Sequence, residues 1–172
     1  MKKIKANILG NIVTSNASEA HSLCKKSGFG EPDEDKIRYS LSEALFLVET
    51  KKIEIFSKNK TLPKEELLTK FKKIDKKIQT KYIVFKDLRK KGYIVKTALK
   101  FGSDFRVYEK GSKPRTKHAK WIVFVDNESK RLTWHEFSAK NRVAHSTRKN
   151  LLLAIVDEES SVTYYEVKWI KP

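Results

Sequence analysis

Apolar residues recur along this chain with two different periods, and the change from one period to the other marks out the elements. Alternation at Ile4, Ala6 and Ile8 and the apolar run that follows make residues 3–14 strands or a hairpin. Residues 18–26 read as a short helix closed by Gly28 and Gly30, because glycine takes the left-handed conformation of a helix end without steric cost. EPDEDK, residues 31–36, predicts a turn. Ser40 and Ser42 stand just ahead of Glu43, Ala44, Leu45, Leu47 and Val48, the pattern of a helix start with a capping serine, and residues 53–56 follow as a strand. Pro63 opens a further helix over KEELLTKF, since the first turn has no use for the N–H that proline lacks. Residues 1–75 therefore read as a small α/β module without obvious chemistry.

Helical spacing returns over residues 76–91, through Ile78, Tyr82, Val84, Phe85 and Leu88, and Gly92 supplies the stop. Strand patterns follow at residues 93–100, 104–109, 120–125, 151–156 and 162–170, with one helix over residues 133–148. The natural packing of residues 76–172 is a mixed sheet flanked by two helices, so the chain as a whole is α/β (α+β) with a second, C-terminal domain. No internal repeat or low-complexity tract interrupts this order.

Composition narrows the picture. A chain of 172 residues that is 39% hydrophobic, with three tryptophans, can bury a core and is not disordered throughout. No run approaches the roughly 20 apolar residues of a membrane span, and MKKIKANILGNIV turns polar too soon for a signal peptide, so a cytoplasmic protein is expected. The lone cysteine, Cys24, excludes an internal disulfide and a thiol cluster for zinc. Lysine and arginine number 38 against 21 acids, a formal +17, which favours a polyanionic partner. The excess is uneven: residues 1–75 carry 15 basic and 11 acidic groups, whereas residues 76–172 carry 23 and 10, so phosphate binding is expected in the second half.

Three titratable residues stand at element ends in that half, where fixed backbones present functional side chains. Tyr108 ends a strand, the basic loop GSKPRTK intervenes, and His118 opens the next strand, so a hairpin brings the two together. Lys149 sits in RVAHSTRKNLLLAIVD, where a helix gives way to an apolar strand. Taken singly, each has a plain reading as packing tyrosine, loop histidine or surface lysine. His145 competes with His118 but lies on the helix, where a structural hydrogen bond is the simpler role, and His21 and His135 have no motif around them. No pair of histidines or cysteines has metal-ligand spacing.

The blocks DLRKKGYIVKTALKFGSDFRVY, HAKWIV, RVAHSTRKNLLLAIVD and YYEVKWIKP resemble the catalytic domain of archaeal tRNA-splicing endonucleases. The resemblance covers residues 80–172; in the first half only LSEALFLVE echoes the family. Ala98, where the family commonly has glycine, and Trp121, where another aromatic is usual, are departures outside the triad. The family's catalytic tyrosine, histidine and lysine fall on Tyr108, His118 and Lys149, which the resemblance makes general base, general acid and electrostatic stabiliser in a metal-independent cleavage. The chemistry suits these residue types. RNA carries its own 2′-OH nucleophile, so cleavage needs a base, an acid for the leaving 5′-oxygen and a cation for the phosphorane. A phenol, with a reference pKa of about 10, needs nearby cations to serve as base at neutral pH.

The resemblance also implies how the RNA and the assembly are held. Arg142, seven residues before Lys149, inherits from the family the role of stacking on a bulged base, whereas the loop bearing Lys113, Arg115 and Lys117 reads from its charge alone as an unspecific phosphate rail. Asp157, Glu158 and Glu159 correspond to an acidic loop that enters a neighbouring subunit, and the last strand pairs across a dimer axis, giving a homotetramer or a heterotetramer with a structural subunit. The expected substrate is precursor tRNA, recognised by the shape of a bulge-helix-bulge. Two rivals stand beside this reading. One is a metal-dependent DNA nuclease built on Asp157 and Glu166-Val167-Lys168. The other is a non-catalytic RNA-binding subunit.

Overall fold

The computed structural model describes residues 3–112 and 117–170, and in it the chain forms two compact units, residues 1–82 and 83–172. Both are α/β.

The first unit begins with a hairpin, β1 (Ile4–Leu9) and β2 (Ile12–Ser15), turned at Gly10 with φ +59°. α1 (Ser18–Ser27) ends at Gly28, which adopts the left-handed conformation and returns its N–H to the Cys24 carbonyl. The expected EPDEDK turn is the tip of a second hairpin, β3 (Glu31–Asp33) with β4 (Lys36–Tyr39), which pairs on β2. α2 (Leu41–Glu49) is buried over most of its circumference; β5 (Ile53–Ser57) lies parallel to β1, and β6 (Lys60–Thr61) closes the edge. The sheet order is β3-β4-β2-β1-β5-β6. α3 (Lys64–Ile74) starts one residue later than Pro63, which takes the extended conformation of the preceding cap.

Ser40, rather than Ser42, caps α2. Its hydroxyl accepts from the Glu43 N–H, and Glu43 returns the favour to the Ser40 N–H at 3.0 Å. Glu43 also accepts from the Gly30 N–H at 2.9 Å, which explains how a carboxylate only 3% exposed is tolerated in this interior. Gly30 has no alternative at its position: φ is +73° and a Cβ would stand 2.3 Å from Ile37 Cγ2.

α4 (Ile78–Lys90) crosses the division between the units in sequence. The second unit is a five-stranded mixed sheet in the order β11-β10-β9-β8-β7, made of β7 (Ile94–Ala98), β8 (Ser103–Tyr108), β9 (Trp121–Asn127), β10 (Asn150–Val156) and β11 (Val162–Val167). β9 and β10 are parallel; the other pairs are antiparallel. The connection between the parallel strands carries α5 (Trp134–Ser146), capped by a Thr133–Glu136 box.

Alternation along the strands gives each face its own cover. Ile122, Phe124 and Leu151 pack with Ala144, Phe137 and Val143 of α5. The opposite face includes Phe105, whose ring meets Phe85 of α4 at 5.9 Å, and Tyr164, whose hydroxyl donates to Asp87 of α4. Burial of the Tyr164 phenol, followed by that hydrogen bond, pushes its pKa up. Among the described residues no helix is long and apolar enough to cross a membrane.

Replacing Glu43 by Ala removes the partner of two backbone N–H groups. Urea unfolding of the Glu43→Ala chain should show a loss of about 2 kcal/mol; a midpoint equal to that of the parent would mean that the buried carboxylate holds nothing.

Candidate active site

The registers of β8, β9 and β10 bring one end of the sheet into line. Val107 stands opposite Trp121, and Trp121 opposite Asn150. At these last pairs the Lys120 N–H donates to the Val107 carbonyl at 2.9 Å and the Asn150 N–H to the Lys120 carbonyl at 3.0 Å. Tyr108 therefore leaves β8, Lys120 enters β9 and Lys149 enters β10 at the same end of three neighbouring strands. With strands about 4.8 Å apart, the backbones of Tyr108 and Lys149 lie roughly 10 Å from each other, a gap that a phenol and a lysine reaching inward can close on one phosphate. His118 lies three residues ahead of β9 on the strand between them.

The three side chains differ in exposure. Tyr108 is only 5% exposed, so its ring is held by its surroundings, whereas His118 is open to solvent and Lys149 is half-buried. Lys149 is placed by the way α5 ends. Arg148 adopts φ +54°, its N–H returns to the His145 carbonyl, and the Lys149 N–H returns to the Ala144 carbonyl. This double closure of a helix end normally employs glycine at the left-handed position. The Lys149 ammonium donates to the Thr147 carbonyl at 2.7 Å and stands 5.7 Å from the centre of the Phe101 ring.

Two further cations belong to this face. Arg106 is opposite Ile122, and Ile122 opposite Leu151, both in the cluster packed on α5, so Arg106 and Tyr108 two residues on look to the α5 side. Lys96 is opposite Arg106 on β7 and only 5% exposed. Burial first, and then the Arg106 guanidinium, hold the Lys149 ammonium below the usual lysine value. Neither Lys96 nor Arg106 carried a signal in the sequence beyond the alternation of β7 and β8, because the charge they bring to the site is visible only once the strands are paired.

The remaining candidates are dispersed. Arg142 is exposed on α5 two turns before Lys149, and Lys117 is exposed just before His118, while Lys113 and Arg115 lie outside the described residues. Asp157, Glu158 and Glu159 stand at the opposite end of β10 from Lys149, in the turn into β11. Asp157 spends its carboxylate on that turn, accepting from the Ser161 N–H at 2.8 Å, and Glu158 and Glu159 are exposed. Glu166 pairs with Leu152, five residues from Asp157 along β10, so the two carboxylates of the rival metal site are separated by about 15 Å of sheet. Among the described residues no group of three His, Cys, Asp or Glu could hold a metal ion. His145 meets the Trp169 ring edge-on at 4.2 Å, an aromatic contact where a hydrogen bond was expected.

Comparison with known proteins bears on both units. Residues 78–164 match the family described as tRNA intron endonuclease, catalytic C-terminal domain, and residues 4–68 match the tRNA intron endonuclease N-terminal domain. The tRNA-splicing endonuclease of Pyrococcus horikoshii is 44% identical over 171 residues, covering 99% of this chain and 98% of that protein. The protein of the same name from Methanothermobacter thermautotrophicus is 36% identical over 171 residues, covering 99% of each. That of Nanoarchaeum equitans is 42% identical over 138 residues, covering 77% of this chain and 88% of that protein.

Removing the Arg106 charge should let the Lys149 amine hold its proton to higher pH, since a neighbouring cation disfavours the charged form. In Arg106→Gln the titration midpoint of Lys149, followed by the NMR shift of its Cε, should move up; a midpoint that stays put would assign the whole lowering to burial.

Proposed function

The chain belongs to the tRNA intron endonuclease family and is an endoribonuclease, and from that premise we propose that it cuts precursor tRNA at bulge-helix-bulge intron boundaries by metal-independent transesterification. The observation that carries the reading is the common sheet end from which Tyr108, the strand entered by His118, and Lys149 emerge.

In this mechanism the Tyr108 oxygen takes the proton of the 2′-OH beside the scissile phosphate, and the 2′-oxygen attacks phosphorus. The new P–O2′ bond and the breaking P–O5′ bond pass through a charged phosphorane, and the Lys149 ammonium leaves the Thr147 carbonyl to pair with its equatorial oxygen. His118 delivers a proton to the departing O5′. The products are a 2′,3′-cyclic phosphate and a 5′-hydroxyl. Arg106 and Lys96 lie on the same face of the sheet as Tyr108 and add positive charge on the side where the phosphate would sit.

Arg142 stacks on a bulged base, and Lys113, Arg115 and Lys117 track phosphates. The acidic turn at Asp157, Glu158 and Glu159 and the last strand serve assembly into a homotetramer, or a heterotetramer with a structural subunit, so that two cleavage sites engage two bulges. The distance of Asp157 from Glu166 favours this scheme over a metal-dependent DNA nuclease. An unbroken set of Tyr108, His118 and Lys149 favours it over a non-catalytic RNA-binding subunit.

The purified chain should cut a bulge-helix-bulge RNA in EDTA and leave DNA intact. His118→Ala should lose roughly 10²- to 10⁴-fold in cleavage rate with RNA affinity retained. A 2′-deoxy residue at the scissile position should abolish cutting. Cleavage that survives either change, or that stops in EDTA and returns with a divalent cation, overturns the scheme.

A further inference from the structure

The sheet end that carries Tyr108 and Lys149 has a second face, turned toward α4, and on it lies a cavity of about 260 Å³. Tyr93, Trp121 and Tyr164 wall it, Val107 and Leu152 form the floor, and Glu166 stands at the rim. Its volume is below the roughly 300–1,000 Å³ of sites for drug-sized ligands and suits one small ring system.

Every ring of the wall carries an ammonium. Lys110 lies 5.1 Å from the centre of Tyr93, Lys120 4.7 Å from that of Trp121 and Lys91 5.0 Å from that of Tyr164. Tyr93 meets Trp121 edge-on at 5.8 Å, which fixes the indole plane. The Trp121 Nε1–H donates to Glu166 Oε1 at 3.1 Å, and the Asn150 amide donates to the same oxygen, which leaves Oε2 to accept from something else. Those two hydrogen bonds, that of Asn150 first, hold Glu166 below the usual carboxylate range, so it remains an acceptor at neutral pH. Two of the lysines rest against carboxylates, Lys91 on Asp87 at 2.7 Å and Lys120 on Glu109 at 2.6 Å. Such exposed pairs are weak and exchange readily for phosphate.

Sequence neighbours tie the cavity to the cleavage residues. Asn150 follows Lys149, Trp121 is three residues beyond His118, and Glu109 follows Tyr108. Adjacent residues of a strand point to opposite faces, so a chain of nucleotides wrapping over this edge of the sheet passes from one group to the other within about one nucleotide. Aromatic planes with flanking ammonium groups and an apolar floor are the means by which proteins hold unpaired bases.

We propose that this cavity is the binding site for one unpaired nucleobase adjacent to the cleaved phosphodiester, stacked on Trp121 with an amino group donating to Glu166. The proposal rests on the endoribonuclease reading given above. A carboxylate acceptor at the rim matches the exocyclic amino group of adenine, cytosine or guanine, whereas uracil has no amino group and offers only its ring N3–H, set between two carbonyl oxygens that the carboxylate repels. The base stacks on this wall while Lys110 and Lys120 meet the phosphates on either side of it.

The test uses the full chain and a bulge-helix-bulge RNA made uncleavable by 2′-deoxy residues at the cut sites, with 2-aminopurine placed at each bulge position in turn. One position should be quenched on binding. Trp121→Leu should release that quench and weaken RNA binding on the order of tenfold, raising KM more than it lowers kcat on the cleavable RNA, and Trp121→Phe should restore most of the loss. Glu166→Gln, an exposed change that leaves the core alone, should lose the discrimination against uracil. If the parent cuts the natural RNA yet quenches no bulge position, or Glu166→Gln leaves base preference unchanged, the cavity does not hold a base. If Trp121→Leu alters sedimentation mass with RNA affinity intact, the cavity is a protein contact and the proposal is overturned. A parent that cuts no RNA at all sinks the endonuclease reading itself, and this inference with it.

Discussion

The second unit depends on the hydrogen-bond register at one end of β8, β9 and β10. Two backbone bonds at the last pairs of the ladder, from the Lys120 N–H to the Val107 carbonyl and from the Asn150 N–H to the Lys120 carbonyl, align three strand ends that the chain reaches at residues 108, 120 and 149. A slip of one residue on any of the three strands would turn its row of side chains to the opposite face. The register is secured from below: Ile122, Phe124 and Leu151 are committed to α5, and Phe105 and Leu152 to the other side of the sheet. The core thus specifies where Tyr108 and Lys149 stand, although neither contributes much to it beyond the Tyr108 ring.

Much of this fold was legible in the sequence because the elements are amphipathic and capped. Among the described residues the five helices and eight of the eleven strands follow from periodicity and from Ser40, Thr133 and Gly28, while β3, β4 and the two-residue β6 do not. The pattern fails where a strand's end is decided by its neighbour. Residues 162–170 read as one strand, yet β11 stops at Val167, opposite Leu151, because β10 offers no partner beyond Asn150; Trp169 is then free to meet His145. The strand read over residues 93–100 ends at Ala98, and Leu99–Phe101 forms a single 3-10 turn closed by Gly102 at φ +67°. EPDEDK supplied a turn signal but concealed two short strands, since the alternation of Lys36 to Tyr39 has too few residues to stand out alone.

Site legibility divides along the same line. The positions of Tyr108 and Lys149 at element ends could be read from the order of strand, loop and helix, whereas His118, expected to open the next strand, lies three residues ahead of β9. Their environment could not be read that way. Arg106 and Lys96 become neighbours of the site through antiparallel pairing, and Phe101 through a 3-10 turn that no periodicity announces. Trp121 was noticed only as a departure from an expected aromatic, because its partners Tyr93, Asn150 and Glu166 come from three other segments.

The charge balance of this unit accords with the role proposed for its sheet end. Lys149, Arg106 and Lys96 sit on one face of one small sheet, and burial already disfavours the charged form of Lys149. The chain adds local strain beside Lys149 by placing Arg148, a side chain with a Cβ, in the left-handed position that glycine would occupy more easily. In the proposed reaction phosphate oxygens replace the Thr147 carbonyl as the partner of Lys149, so that a charge now facing a neutral dipole would face an opposite charge. On that proposal the site binds its phosphate more tightly as the developing charge grows, which is the differential binding that accelerates a phosphoryl transfer. The acidic turn at Glu158 and Glu159 is consistent with that logic, since it stands at the far end of β10, where its charge leaves the cationic end undiminished.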